Sequence, residues 1–268
     1  MNLKHKSVGI LAGLGFLATS SVAFAQAQAD ANANAGGNVG MSLPGAAPAA
    51  TAAAGSSDHD QVVGRLAVGY LGRRTMAIGA AQIGGMTGGG GPVLELQAPV
   101  VGIRYWIDEM IGIDAGLGLL ITSGSWEQDI PNPPPDTDGD LLGASVFILH
   151  AGLPISFASA DHFSFQLVPE VNVGIGSATT DPNSDIKLNG FQLDAGARAG
   201  AEIQFGFIGI PQLSLQGSIG ALLSIRSLKT DNNVTDVTNT ENSTTITTTV
   251  GDNPWNIFTS NVAALYYF

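Results

Sequence analysis

The sequence predicts an all-β protein: an eight-stranded antiparallel up-and-down transmembrane β-barrel. Three observations lead there. Long segments alternate apolar and polar residues with a period of two. Charged residues make up only 12 % of the chain, against about 25 % in a typical soluble domain, and 36 residues are glycine. After the N-terminal segment no apolar run is long enough for a membrane helix, so a spanning structure would have to be a closed sheet.

The first residues are set apart from that sheet. Lys4 and Lys6 precede the apolar "VGILAGLGFLATS", and Ala23 to Ala25 supply small residues for cleavage. This is the pattern of a secretory signal peptide, expected at 1–25. Residues 26–58 are built from Ala, Gly, Asn, Ser and Pro and read as a disordered linker, because so few large apolar side chains cannot offset the entropy of ordering. The barrel is expected at 59–268. Without the two signal lysines, eight basic residues face twenty-two acidic ones, a formal charge of −14. Such a surface repels nucleic acid. The chain has no cysteine, which excludes disulfides, thiolate metal sites and a lipid-modified cysteine.

The clearest strand is Phe191 to Phe207. Its odd positions are Phe, Leu, Ala and Ile throughout, and its even positions are Gln192, Asp194, Gly196, Arg198, Gly200, Glu202, Gln204 and Gly206. A helix would smear these two sets around its axis. Ile111–Thr122, Phe163–Gly176 and Leu213–Ser227 alternate in the same way. Val63–Gly72, Val93–Asp108, Leu142–Phe157 and Trp255–Phe268 complete the eight. In Val93–Asp108, Leu94 and Leu96 have the opposite parity to Ile103 and Tyr105, and a slip near Pro99 is expected to reconcile them. Short turns near Asp108, Asp161 and Pro211 alternate with long connections at 73–92, 123–141, 177–190 and 228–254, as in outer-membrane barrels.

The apolar face of these strands is nearly free of charge, whereas the other face is Gly, Ser, Gln and isolated charges. A soluble, lipocalin-like barrel would place its apolar side chains inside and its charges outside. Here the apolar face suits lipid, and the abundant glycines suit a crowded interior. Tyr105, Trp106, Phe163, Phe165, Phe205 and Phe207 near the short turns, with Trp126 and Trp255 beside long loops, predict two interfacial girdles.

The last strand carries Val262, Ala264, Tyr266 and Phe268 on its lipid face. A final Phe preceded by alternating apolar residues resembles the signal read by the outer-membrane barrel assembly machinery. With the signal peptide and eight strands, Val62–Phe268 resembles the small eight-stranded outer-membrane barrel proteins of the OmpA and OmpX type. The resemblance implies export across the inner membrane, residence in the bacterial outer membrane among its lipids, and a structural or surface-interaction role. Any unknown extracellular ligand would then meet the acidic long loops.

Arg65, Arg104, Asp114, Glu170, Asp194, Arg198, Glu202 and Arg226 are expected to form a barrel-interior charge network. Eight strands enclose a space barely wide enough for side chains, so these charges must pair. A narrow small-solute channel is the alternative. A lipid-modifying enzyme is disfavoured, because His59 lies in the linker, His150 in mid-strand on the interior parity and His162 at a short turn, with none in a long loop. Asp136, Asp138 and Asp140 offer oxygen ligands at alternate positions, but their spacing departs from the EF-hand and they read as a solvated loop. No cofactor is implied.

Overall fold

The computed structural model describes residues 57–80, 93–128, 137–140, 143–179, 186–232, 236–250 and 255–268. The predicted signal peptide, the predicted linker up to residue 56 and Asp136 lie outside them. A short helix, α1 (Asp58–Val62), precedes β1 (Leu66–Ala80), β2 (Val93–Trp106), β3 (Gly112–Thr122), β4 (Ser125–Gln128), β5 (Thr137–Asp140), β6 (Gly143–Gly152) and β7 (Ile155–Ala160). Then come β8 (Phe163–Thr179), β9 (Ile186–Phe205), β10 (Ile210–Asn232), β11 (Val237–Thr248), a helical turn α2 (Asn256–Thr259) and β12 (Val262–Tyr267).

Hydrogen bonds run in a ring through eight of these strands: β1, β2, β3, β6, β8, β9, β10 and β12, which pairs back to β1. All neighbours are antiparallel. β7 prolongs β6 beyond Leu153 and Pro154 and pairs with β8. β4 and β5 form a separate hairpin within the third long connection's predecessor, 123–141.

The register measures how the sheet closes. From Tyr70 the paired residues run Val101, Leu117, Leu149, Val173 and Leu193 to Ile225 on β10. In the other direction Tyr70 pairs with Ala264, and Ala264 with Leu215 on that same strand. One circuit therefore returns ten residues along β10, from Leu215 to Ile225. For eight strands this stagger gives a tilt of about 40° and a radius of about 8 Å, so side chains fill the interior. Every residue on that circuit is apolar or aromatic, and the exposed face of the ring continues it with Ile103, Ile113, Leu119, Phe147, Phe165, Leu167, Ile175, Ile219 and Leu223.

The ring is complete only toward its short-turn end. β1 pairs with β12 up to Tyr70, and β2 pairs with β3 only from Val100 onward. Between Tyr70 and Arg73 on β1 the register to β2 shifts, with Leu71 and Gly72 facing Val100 alone. Gly72 has φ 96°, which a residue with a side chain rarely adopts. Beyond this bulge the arm made of Arg73–Ala80 and Val93–Pro99 leaves the wall and folds into the lumen. Met76, Ala77 and Ile78 on it are fully buried. The facing wall is bare where the arm packs: a Cβ on Gly174 would lie 2.7 Å from the Met76 sulfur, and one on Gly176 2.8 Å from Ile78.

Several sequence expectations change here. β2 alternates without a slip; the extra residue is on β1, and Leu94 and Leu96 point inward because the arm they belong to is inside the barrel. The predicted loop 73–92 begins with eight more residues of strand. The predicted strand Trp255–Phe268 is strand only from Val262. β11 and β12 both flank β10, at Ala221–Asn232 and Leu213–Gly217, and α2 interrupts them. The Asn261 amide holds that interruption, donating to the carbonyls of Thr249 (2.9 Å) and Asn256 (3.2 Å) in place of ladder bonds. Trp106 is not a girdle residue: it is fully buried, whereas Tyr105 is exposed.

Candidate functional site

The interior is layered. At the short-turn end Val62, Leu71, Val100, Trp106, Leu265 and Tyr267 form an apolar layer. α1 closes it. Ser57 caps the helix by accepting from the Asp60 backbone, and the Asp60 carboxylate accepts from the Ser57 N–H. Asp58, assigned to the linker by its sequence, reaches His162 (2.7 Å) and the Gly206 N–H (3.0 Å), while His59 Nε2 meets the Glu109 carbonyl (2.9 Å). The helix is thus tied to all three short turns, and the His59 ring stands edge-on to Trp106 at 4.6 Å.

Above that layer sits the first charge cluster, centred on Arg104. Its guanidinium donates to both oxygens of Asp114 (2.7 and 2.8 Å), to Glu202 (2.9 Å), to Gln216 (2.9 Å) and to Gln166 (3.3 Å). The strand alternation places all of them: Arg104, Asp114, Gln166, Glu202 and Gln216 are inward residues of five different strands. Tyr267 donates to the other Glu202 oxygen (3.0 Å) and accepts from Trp106 Nε1 (3.0 Å). Arg104, Asp114 and Glu202 have no exposed side-chain surface. An unpaired charge here would be costly, and each of the three is met by an opposite one.

The second cluster lies further toward the long loops. Glu170 Oε2 accepts from Arg198 (2.7 Å) and Arg74 (3.1 Å). Arg74 Nε also donates to Asn172 Oδ1, which accepts from His150 Nδ1 at 2.7 Å. Among the described residues, Asp194 accepts only from the Gln192 amide. Gln192 also anchors the in-folded arm, accepting from the Ala77 N–H (3.1 Å) and donating to the Thr75 carbonyl (3.0 Å). Beyond this cluster Met76, Ile78, Ala98, Val146, Ile148 and Leu188 form a second apolar layer that the arm completes.

Of the eight predicted network residues, Arg104, Asp114, Glu170, Asp194, Arg198 and Glu202 are buried inside the barrel. Arg65 is not: it precedes β1 and is exposed, because the chain is still leaving α1 there. Arg226 is half-buried at the rim of a cavity, where it pairs with Glu95 at 3.0 Å. Gln166, Gln192 and Gln216 lie on the polar face that the alternation assigns to the interior, and they are buried there; Arg74 and Tyr267 were not anticipated. Tyr267 could have been, since it has the opposite parity to Tyr266 and Phe268. Arg74 could not, because its position follows from the bulge.

That cavity has a volume of about 450 Å³. It lies between the arm, the β10–β11 sheet and α2. Its lining is polar: threonines from 245 to 249, Ser224 and Ser260, the amides of Gln97 and Asn261, and charges of both signs. Among the described residues no group of acidic and histidine side chains is arranged to hold a metal ion. Asp138 and Asp140 fall on β5. Val262, Ala264, Tyr266 and Phe268 alternate with the buried Ala263, Leu265 and Tyr267 and face outward.

No protein-family model matches this chain, and no curated protein matches its sequence. Among solved structures it is similar to the crystal structure of Ail, the attachment invasion locus protein of Yersinia pestis. The two share 10 % identity over 76 % of this chain and 97 % of that one, with a TM-score of 0.33.

Proposed function

We propose that this protein is an outer-membrane β-barrel whose lumen is sealed and whose work is structural or done at the cell surface. The observation that carries the reading is the contrast between the two faces of the ring. Outside, a continuous apolar belt includes Val101, Leu117, Leu119 and Ile121, all more than half exposed. In water this would be a large adhesive patch; in a bilayer it needs no cover. Inside, both charge clusters and two apolar layers occupy a cylinder that has no room for a file of water as well.

The short turns would face the periplasm and the long connections the exterior. β9 and β10, of 20 and 23 residues, far exceed the 9–11 that a tilted strand needs to cross a bilayer. With β11 they would project a three-stranded blade roughly 25 Å beyond the membrane. β11 has one free edge among the described residues, and its Thr- and Asn-rich side chains are exposed on both faces. The blade is the natural contact surface for an extracellular partner. The outward residues Val262, Ala264, Tyr266 and Phe268 would be read by the barrel assembly machinery during insertion.

Two measurements test this. In an isolated outer-membrane fraction, unheated protein should migrate faster in SDS gels than boiled protein; recovery as a soluble periplasmic species without a shift would overturn the membrane reading. Refolded protein in a voltage-clamped bilayer should give no discrete conductance, and reproducible steps would overturn the seal in favour of a channel.

A further inference from the structure

The apolar belt runs all round the ring, but its height is uneven. On β8 the outward residues are apolar from Phe163 to Ile175, which at the tilt of this barrel is about 30 Å along the axis, enough for a whole bilayer core. On β1, across the ring, they run only from Leu66 to Tyr70, about 10 Å, and on β12 from Val262 to Phe268, about 15 Å. All three runs begin at the short-turn end, so the deficit lies toward the long loops. There the bulge at Gly72 takes the chain inward, and the outer face of the arm shows above Tyr70 and Pro99. Arg73, Glu95 and Gln97 are exposed on it and Thr75 is half-buried. The polar cavity opens beside them. Over β12 the same gap is flanked by α2. The Arg73 N–H donates to the Ser260 carbonyl at 2.9 Å, which sets the end of α2 level with Arg73. Trp255 and Phe258 at this helical turn are stacked at 6.0 Å and largely exposed.

A flat bilayer fitted to β8 would press hydrocarbon against Arg73 and Glu95, and charges in that layer are expensive. A hydrophobic surface shorter than the bilayer core is met by local thinning at a modest cost. We propose that the outer leaflet dips over β12 and β1, and that phosphate-bearing lipid headgroups stand in this notch against the outer face of the arm. The inference rests on the membrane reading of the ring. The exposed Arg73 guanidinium suits a headgroup phosphate. Trp255 and Phe258 support the same level. Tryptophan collects at the membrane–water boundary. Four strand steps and two residues place Ile175 about 17 Å farther from the short turns than Tyr70, whereas α2 ends beside Arg73, close above Tyr70. The aromatic pair therefore stands well below the upper limit of the belt on β8. A second copy fits the notch less well. The arm lies inside the line of the wall, so two such faces brought together would touch along β12 and β1 and leave a recess above. Headgroups are small enough to enter it.

The experiment uses the refolded full chain in nanodiscs of phosphatidylethanolamine and phosphatidylglycerol. The sequence has no cysteine, so Q97C and V171C each carry a single nitroxide, one on the arm and one on the deep belt of β8. The Q97C label should enhance the relaxation of headgroup phosphorus about five-fold more than the V171C label does. It should also collide with a water-soluble nickel chelate more often than with oxygen, and the V171C label should do the reverse. Adding R73L and E95L to Q97C makes the arm less polar. The phosphorus enhancement should then fall about two-fold while the heat-dependent gel shift is kept. Equal phosphorus relaxation and equal oxygen contact at both labels overturn the proposal, because lipid tails then cover the arm. Nickel access at Q97C without phosphorus enhancement overturns it in favour of a water-filled crevice, and dipolar coupling between two Q97C labels in favour of a second copy. A V171C label outside the hydrocarbon overturns the membrane reading itself, which separates that failure from a failure of the notch alone.

Discussion

The two halves of the barrel solve one problem in different ways. Near the short turns the hydrogen-bonded ring is closed, and Arg104 joins inward residues from five strands into one cluster with every charge answered. Near the long loops the ring is open: an arm of β1 and β2 is folded inside, and its apolar residues fill the space. The first half is filled by local alternation, which delivers a polar side chain from each of five strands to the same level. The second half is filled after a backbone change at Gly72, which redirects two strands at once. Among the described residues, buried polar atoms without a partner remain in both halves, among them the Gln204 amide and Ser214 Oγ near the short turns and Glu170 Oε1 and Asn172 Nδ2 nearer the arm; only the second half borders a cavity.

If that difference is real, removing Arg104 should be the most damaging single change. R104M leaves Asp114 and Glu202 buried without a cation and should cost about 3–5 kcal/mol, read from denaturant unfolding in lipid vesicles. R74M should cost less, about 1.5–3 kcal/mol, because Arg198 still holds Glu170. An equal loss for the two would erase the contrast between the halves. G190V sharpens it: a side chain there runs into the Ala77 carbonyl, so the arm should be expelled. Proteolysis should then cut within 73–99 several-fold faster while the SDS-resistant lower barrel survives; an unchanged rate would mean that the arm is not held by this contact.

Smaller effects are expected outside the interior. E95Q breaks a partly exposed rim pair and should change stability by at most about 1 kcal/mol. Asp231, near the tip of the β10–β11 blade, has its carboxyl held below the ordinary range by hydrogen bonds from Lys229 and Thr238. Its contribution is therefore present at neutral pH and lost as pH falls through that lowered value. Amide protection factors at the β10–β11 tip, corrected for intrinsic exchange, should stay constant down to about pH 4 and fall below it. In D231N the acid-dependent step should disappear.

Much of the candidate site could be read directly from the alternation. Phe191 to Phe207 alone assigns Asp194, Arg198 and Glu202 to the interior, and the same parity rule places Asp114, Glu170 and His150. It fails where a residue's direction depends on something other than its own strand. Arg226 has the inward parity but sits where the interior widens into a cavity. Trp106 has the inward parity too, and reading it as a girdle residue from its place at a strand end ignored that. His59 and Asp58 belong to a segment with linker composition, yet three contacts to the short turns order them, and no local pattern announces contacts made across 50 to 148 residues.

By itself, then, the amino-acid order determined the strand class, the number of wall strands, the outward apolar set and most of the buried charges. These follow from a period of two, which is local and survives any arrangement of the strands. Only the tertiary structure decided that the β1–β2 arm lies inside, that α1 closes the short-turn mouth, that α2 splits the last wall strand, and which charges pair with which. Each of those depends on what a distant segment leaves free: bare glycines at 174 and 176 for the arm, and the backbones of Glu109, Asp161 and Gly206 for the helix.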